Sequence, residues 1–153
     1  MDPEQLKQML SQVVPFNRHL GLEVLEVGAG SASVRLPEGP HLLNHVGTQH
    51  AAALFAVAEA ASGGAMLGGF PDLLGRATPL AKSAQITYLK PARGPITAKA
   101  SVSEPLNAVR SRLDSEGRAE FPVAVSLEDQ SAVVVAEVTV NWHVRLNATP
   151  RPA

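Results

Sequence analysis

One carboxylate, Glu59, stands inside the most apolar stretch of this chain, which runs from Thr48 to about Leu67 and is built mostly from alanine, glycine and leucine. An unpaired charge in such surroundings is costly, and burial pushes its pKa upward. A carboxyl group held in that condition can serve as a general base or as a nucleophile. At the start of the same stretch lies His50-Ala51-Ala52. If the stretch is a helix, the first backbone N–H groups there have no partner within it, and they point outward at the positive end of the dipole. That suits a developing oxyanion, and alanine can donate from such a position as glycine does if its dihedrals stay helical. Glu59 follows His50 by nine residues. Nine helical residues rise roughly 13 Å and end about half a turn out of phase, so this carboxylate and these amides cannot meet on one reacting carbon. If both act, the site must be composite, with Glu59 of one subunit facing the helix start of another. The competing reading gives Glu59 a structural salt bridge across the subunit interface, to Lys82 or Arg76 of the partner subunit, and leaves His50 as a helix cap or a loop hydrogen bond. His41 and His45 fall in the loop before the helix, but their spacing to carboxylates makes no metal site; His19 and His143 read as structural, and Trp142 and Phe55 as core or interface.

The elements that must position these groups follow from pattern. Asp2-Pro3 predicts a helix start, with Leu6, Met9, Leu10, Val13 and Val14 on one stripe and Pro15 as its end. Residues 20–27 alternate Leu and Val with Glu, and Ser31 to Leu36 continues the pattern after Gly28-Ala29-Gly30, which predicts a hairpin. The apolar stretch then predicts a helix buried on every side, with Thr48 as N-cap and Gly63-Gly64 and Gly68-Gly69 weakening its end. Strands are expected over Leu80–Leu89, Ile96–Val102, Glu120–Leu127 and Ala132–Val144, with a polar loop or mobile strand end over Glu104–Gly117. A helix apolar all round needs a sheet that curls about it, because a flat one would leave half its surface wet. The predicted class is therefore α+β, a strongly curved antiparallel sheet around a long central helix. Residues 1–18 form an N-terminal helix packed on the domain, 19–146 the domain itself, and 147–153 a disordered tail.

Composition narrows the function. The chain has 153 residues, 13 Lys+Arg against 14 Asp+Glu, and no clustered basic face, which argues against nucleic acid as a partner. It has no cysteine, so a disulfide framework, a thiolate metal site and a cysteine nucleophile are all excluded, and a cytoplasmic setting is compatible. The first ten residues are polar where a secretory signal needs an apolar run, and Glu59 with its glycine-rich surroundings makes the apolar stretch a poor membrane span, so a soluble protein with no membrane partner is expected.

The stretch Asn44-His45-Val46-Gly47-Thr48-Gln49-His50, followed by Ala51 to Glu59, resembles the start of the central helix in the PaaI-like hotdog-fold thioesterases, DUF4442-like proteins among them. Those proteins carry Asn, Gly, then His-Gly-Gly, with an acid nine residues after the His. Gln85-Ile86-Thr87-Tyr88-Leu89-Lys90-Pro91-Ala92 is similar to the strand and Pro-Ala turn that follow, and the likeness spans roughly residues 16 to 144. It implies a hotdog fold, self-association as a dimer or tetramer, and hydrolysis of an acyl-CoA or other acyl thioester with no metal and no cofactor beyond the coenzyme A of the substrate. It makes Glu59, His50, Asn44 and Ser83 the catalytic candidates, and Gly47, Ala51, Ala52 and Lys82 the oxyanion and substrate-binding ones. The chain departs from the pattern in two places. His-Gly-Gly is His50-Ala51-Ala52, and the position where many relatives carry a Ser or Thr is Ala81, with Ser83 two residues on along the same strand face. Asn44 has the alternative of stabilising its turn, and Ser83 of being an ordinary strand serine. A non-catalytic acyl-thioester binding protein is the alternative function. A hotdog hydratase fits less well, because its His-to-acid spacing is absent.

Overall fold

The computed structural model describes residues 2–148. Asp2 caps α1 (Pro3–Val13) in a reciprocal box with Gln5, with proline at the first turn. α1 ends before Pro15 as expected, and that proline also opens a second short helix, α2 (Pro15–His19), because proline is preorganised for a first helical position. Strands β1 (Glu23–Gly28) and β2 (Ser31–Leu36) form the expected hairpin, and α3 (Ala51–Gly69) is the long central helix. Strands β3 (Ala77–Tyr88), β4 (Ile96–Val102), β5 (Arg118–Glu128) and β6 (Val134–Leu146) complete one antiparallel sheet in the order β1-β2-β4-β5-β6-β3.

The sheet wraps α3. Inward side chains alternate along each central strand, with Val34 and Leu36 on β2, Ile96 and Ala98 on β4, Phe121, Val123 and Val125 on β5, and Val138, Val140 and Trp142 on β6, all buried. α3 is long and apolar enough to cross a membrane by length and composition, but the sheet takes up most of that apolar surface. Its glycines do not end it at Leu67. Carbon at the Cβ position of Gly68 would lie 2.1 Å from the Gly28 carbonyl oxygen, and at Gly64 2.9 Å from the Ala32 methyl. The helix gives up propensity at these positions to lie directly on the β1–β2 hairpin.

Two further expectations are corrected. Glu104–Gly117 is not a loop: Leu106–Glu116 form α4, which buries Val109 and Leu113 and ends on Gly117 at φ 70°. Leu106, Val109 and Leu113 have helical spacing, which the surrounding polar residues hide. The expected tail does not begin at Asn147, whose N–H donates to the Arg76 carbonyl (2.8 Å) and whose Oδ1 accepts from the Thr78 hydroxyl (2.8 Å). Residues 149–153 of that tail lie outside the described residues.

The segment before α3 is held by Gln49, which is 2% exposed. Its Nε2 donates to the carbonyls of Pro37 (2.9 Å) and Gly94 (3.0 Å), and its backbone N–H to that of Ala92 (2.8 Å). One buried amide thus ties the helix start to the end of β2 and to the β3–β4 turn. Gln49→Ala, which removes both side-chain bonds, is expected to lower unfolding free energy by about 2–4 kcal/mol, read as a lower urea midpoint at unchanged slope.

Candidate active site

Glu59 is partly buried on α3 and forms part of the wall of an apolar cavity of about 220 Å³ between α1, α2, the β1–β2 hairpin and Trp142. Burial raises its pKa above the ordinary 4.5. No cation in the described residues pairs with it: Lys82 bonds Glu120 (2.8 Å), and Arg76 lies 3.7 Å from Asp72. The helix turn beneath the carboxylate is fixed through Ser62, which sequence reasoning passed over. Its hydroxyl donates to the Glu59 carbonyl (2.7 Å) and accepts from the Trp142 indole N–H (3.0 Å), which holds the ring against α3. The serine's place three residues after Glu59, on the same helix face, was the available signal.

At the other end of α3, His50 and not Thr48 is the N-cap: its Nδ1 accepts from the Ala52 N–H (3.0 Å). A neutral ring accepting there carries its proton on Nε2. The His50 N–H donates to the Leu42 carbonyl (2.8 Å). Two of the three amides expected to form an oxyanion site are thus engaged within the chain. The Ala51 N–H, at the first helical position and exposed, has no acceptor among the described residues. The Ala51 carbonyl accepts from the Tyr88 hydroxyl (3.0 Å), which ties the end of β3 to the helix start.

Asn44 is spent on the loop. Its Oδ1 accepts from Val46 N–H (3.1 Å) and Thr48 N–H (3.0 Å), and its Nδ2 donates to the Thr48 hydroxyl (2.8 Å). Gly47 takes φ 76° inside this turn, which explains a glycine there. Ser83 lies exposed on β3 and accepts from Asn141 Nδ2 (3.0 Å), while the neighbouring Lys82 is engaged with Glu120, which His143 also meets at 2.9 Å. These two contacts hold the Glu120 carboxyl below its usual range.

The candidates therefore fall into separate places within one chain. Glu59 faces the cavity, Ala51 opens on a groove shared with Tyr88, Lys90 and Arg93, and Ser83 with Lys82 lies on β3. Strand β3 pairs with β6 on one side only, and most of its residues are exposed on both faces, Leu80 at 62% and Tyr88 at 48% among them. No group of His, Asp or Glu able to hold a metal occurs among the described residues.

No curated protein matches the sequence. Among solved structures, a Pseudomonas aeruginosa protein of unknown function described as a probable thioesterase is 27% identical, covering 94% of this chain and 95% of that one at TM-score 0.82. The Escherichia coli PaaI protein of the phenylacetic acid degradation operon is 20% identical, covering 95% and 94% at TM-score 0.75. A thioesterase family protein from Silicibacter pomeroyi is 18% identical, covering 94% and 98% at TM-score 0.77. Each shares the architecture derived above, a curved six-stranded sheet around one helix, which is the hotdog fold. A family model described only as a domain of unknown function, DUF4442, matches residues 3–144, so the chain belongs to the DUF4442 family and carries it on a hotdog fold.

Proposed function

We propose that this protein is an acyl-thioester hydrolase, with an acyl-CoA as the substrate class, working as a cytoplasmic homodimer or higher assembly. The observation that carries the reading is the Glu59 carboxylate, unpaired among the described residues and partly buried at the wall of an apolar cavity, on a fold shared with proteins described as thioesterases. In this reading Glu59, ionised, attacks the thioester carbonyl or removes a proton from the attacking water. The carbonyl oxygen becomes an oxyanion that accepts from the Ala51 N–H of the partner subunit, and collapse of the adduct expels the thiolate. In the first route water then hydrolyses the glutamyl anhydride to free acid and Glu59, and in the second the proton held by Glu59 passes to the thiolate. No cofactor is required beyond the coenzyme A that leaves. Dimerisation is supported by the free, apolar-bearing edge of β3, which a second copy can extend by antiparallel pairing. His50 then sets the geometry of the amide through its cap, and Asn44 and Gly47 shape the turn ahead of it; Ser83 and Lys82 have the more distant task of lining the substrate path along β3.

The test is thiol release from a panel of acyl-CoAs, with light scattering for mass. Steady release by a dimer supports the reading. A second reading, a binding protein without turnover, is favoured by the Ala51 and Ala52 methyls where relatives carry glycines; a thermal shift with acyl-CoA and no released thiol selects it.

A further inference from the structure

The cavity beside Glu59 is more apolar than the helix-start groove and offers few groups that could read a polar ligand. Leu10, Val13, Val14, Val34, Met66 and Trp142 belong to its apolar lining, with Glu59 at one side. Ser11 and Asn17 also border it; the Ser11 hydroxyl already donates to the Lys7 carbonyl, and the Asn17 amide lies at the α2 end. One wall position is a glycine that the fold does not demand. Gly63 follows Glu59 by one helical turn, and a Cβ there would meet only the Trp142 ring, at 3.4–3.5 Å, which is ordinary van der Waals contact. This contrasts with Gly64 and Gly68, where a methyl would collide with the hairpin. Alanine at 63 would fit and would favour the helix, so glycine at this position gives up stability for open space next to the carboxylate.

We infer that Gly63 sets the depth of a pocket for a straight aliphatic acyl chain of medium length, lying between α3 and the α1–α2 helices with its carbonyl at Glu59. The chemical class rests on the thioester reading given above. The length follows from volume. An apolar cavity of about 150 Å³ takes a six-carbon benzene ring, so about 220 Å³ takes roughly nine carbons. α1 is attached to the domain through one fully buried side chain, Leu6, while Val13 and Phe16 at the α1–α2 junction are more than half exposed. That junction makes an apolar rim, where a longer chain emerges into water and gains little more.

The test uses non-hydrolysable S-alkyl-CoA thioethers of four to sixteen carbons, bound to the full chain and followed by calorimetry, with turnover of the matching acyl-CoAs measured alongside. In the wild type, affinity should rise about fourfold per added methylene and level off near nine carbons. Gly63→Leu fills the space with four carbons and should move the plateau down by about as many. Gly63→Ala should move it by about one carbon and raise Tm by roughly 2–4 °C, so the inference remains testable if the leucine variant does not fold. A chain-length profile that is flat, or that is the same in all three proteins, overturns the assignment. If thioethers show the pattern but no acyl-CoA is hydrolysed, the hydrolase reading fails and the pocket stands. If acyl-CoAs are hydrolysed with a profile that neither substitution moves, the pocket fails and the hydrolase reading stands.

Discussion

Glu59→Gln is expected to lower turnover of the best acyl-CoA by about 10³-fold while making the protein harder to unfold at neutral pH. Both effects come from one physical cause. Burial raises the carboxyl pKa above 4.5, and no cation among the described residues offsets the ionised form. At pH 7 folding therefore holds a charge that the unfolded chain would keep in water, and the isosteric neutral amide relieves that cost. For a group whose folded pKa is raised, stability is full below the unfolded value and is lost as pH rises through the folded one. The Tm of Glu59→Gln should thus exceed wild type at pH 7–8 and converge with it below about pH 4, where both side chains are neutral. Wild-type turnover should follow the opposite course, rising as the carboxyl ionises with a midpoint above the ordinary glutamate value. A Glu59→Gln protein equal to wild type in turnover would remove the catalytic role, and one less stable at pH 8 than at pH 4 relative to wild type would remove the burial cost assigned to the carboxylate.

Much of this was legible before any coordinates, and the reasons are specific. A helix apolar around its circumference forces a wrapped sheet, so α3 and its enclosure could be read from Thr48 to Leu67 alone. Glu59 stood out because a carboxylate there contradicts its surroundings. Elements carried by sparse long-range contacts stayed hidden. α4 has only Val109 and Leu113 fully buried, and Pro105 with Gly117 reads locally as loop punctuation although the two residues bound the helix. The helix cap was misplaced for a related reason. Thr48 is the better intrinsic N-cap, but Asn44 claims its hydroxyl and N–H, which leaves the capping to the His50 ring two residues later. The Ser62–Trp142 bond joins residues 80 apart in sequence, and the cavity wall contributed by α1 is also distant in sequence from α3, so no local pattern encodes either contact.

Ala51→Pro should leave the protein folded and lower turnover by about 10²–10³-fold, because it deletes one N–H and little else. Position 51 is the first of α3, where proline is favoured, and His50 already has ψ 139°, within the range proline imposes on its predecessor. The Ala51 carbonyl keeps its bond from Tyr88, and the Ala52 N–H keeps its bond to the His50 ring. The same variant decides whether the site is shared. Glu59 and Ala51 lie eight residues apart on one rigid helix, about 12 Å of rise, which is too far for both to touch one thioester. If each site takes Glu59 from one subunit and the amide from the other, a heterodimer of Glu59→Gln and Ala51→Pro chains regains one intact site. Unfolding and refolding the two inactive proteins together in equal amounts should then make half the dimers mixed, each with one working site, and return about a quarter of wild-type turnover. Sites built within single chains would return nothing, since every chain in the mixture carries a lesion. The recovered fraction therefore reads out the geometry that separates Ala51 from Glu59, independently of how fast the chemistry at either residue is.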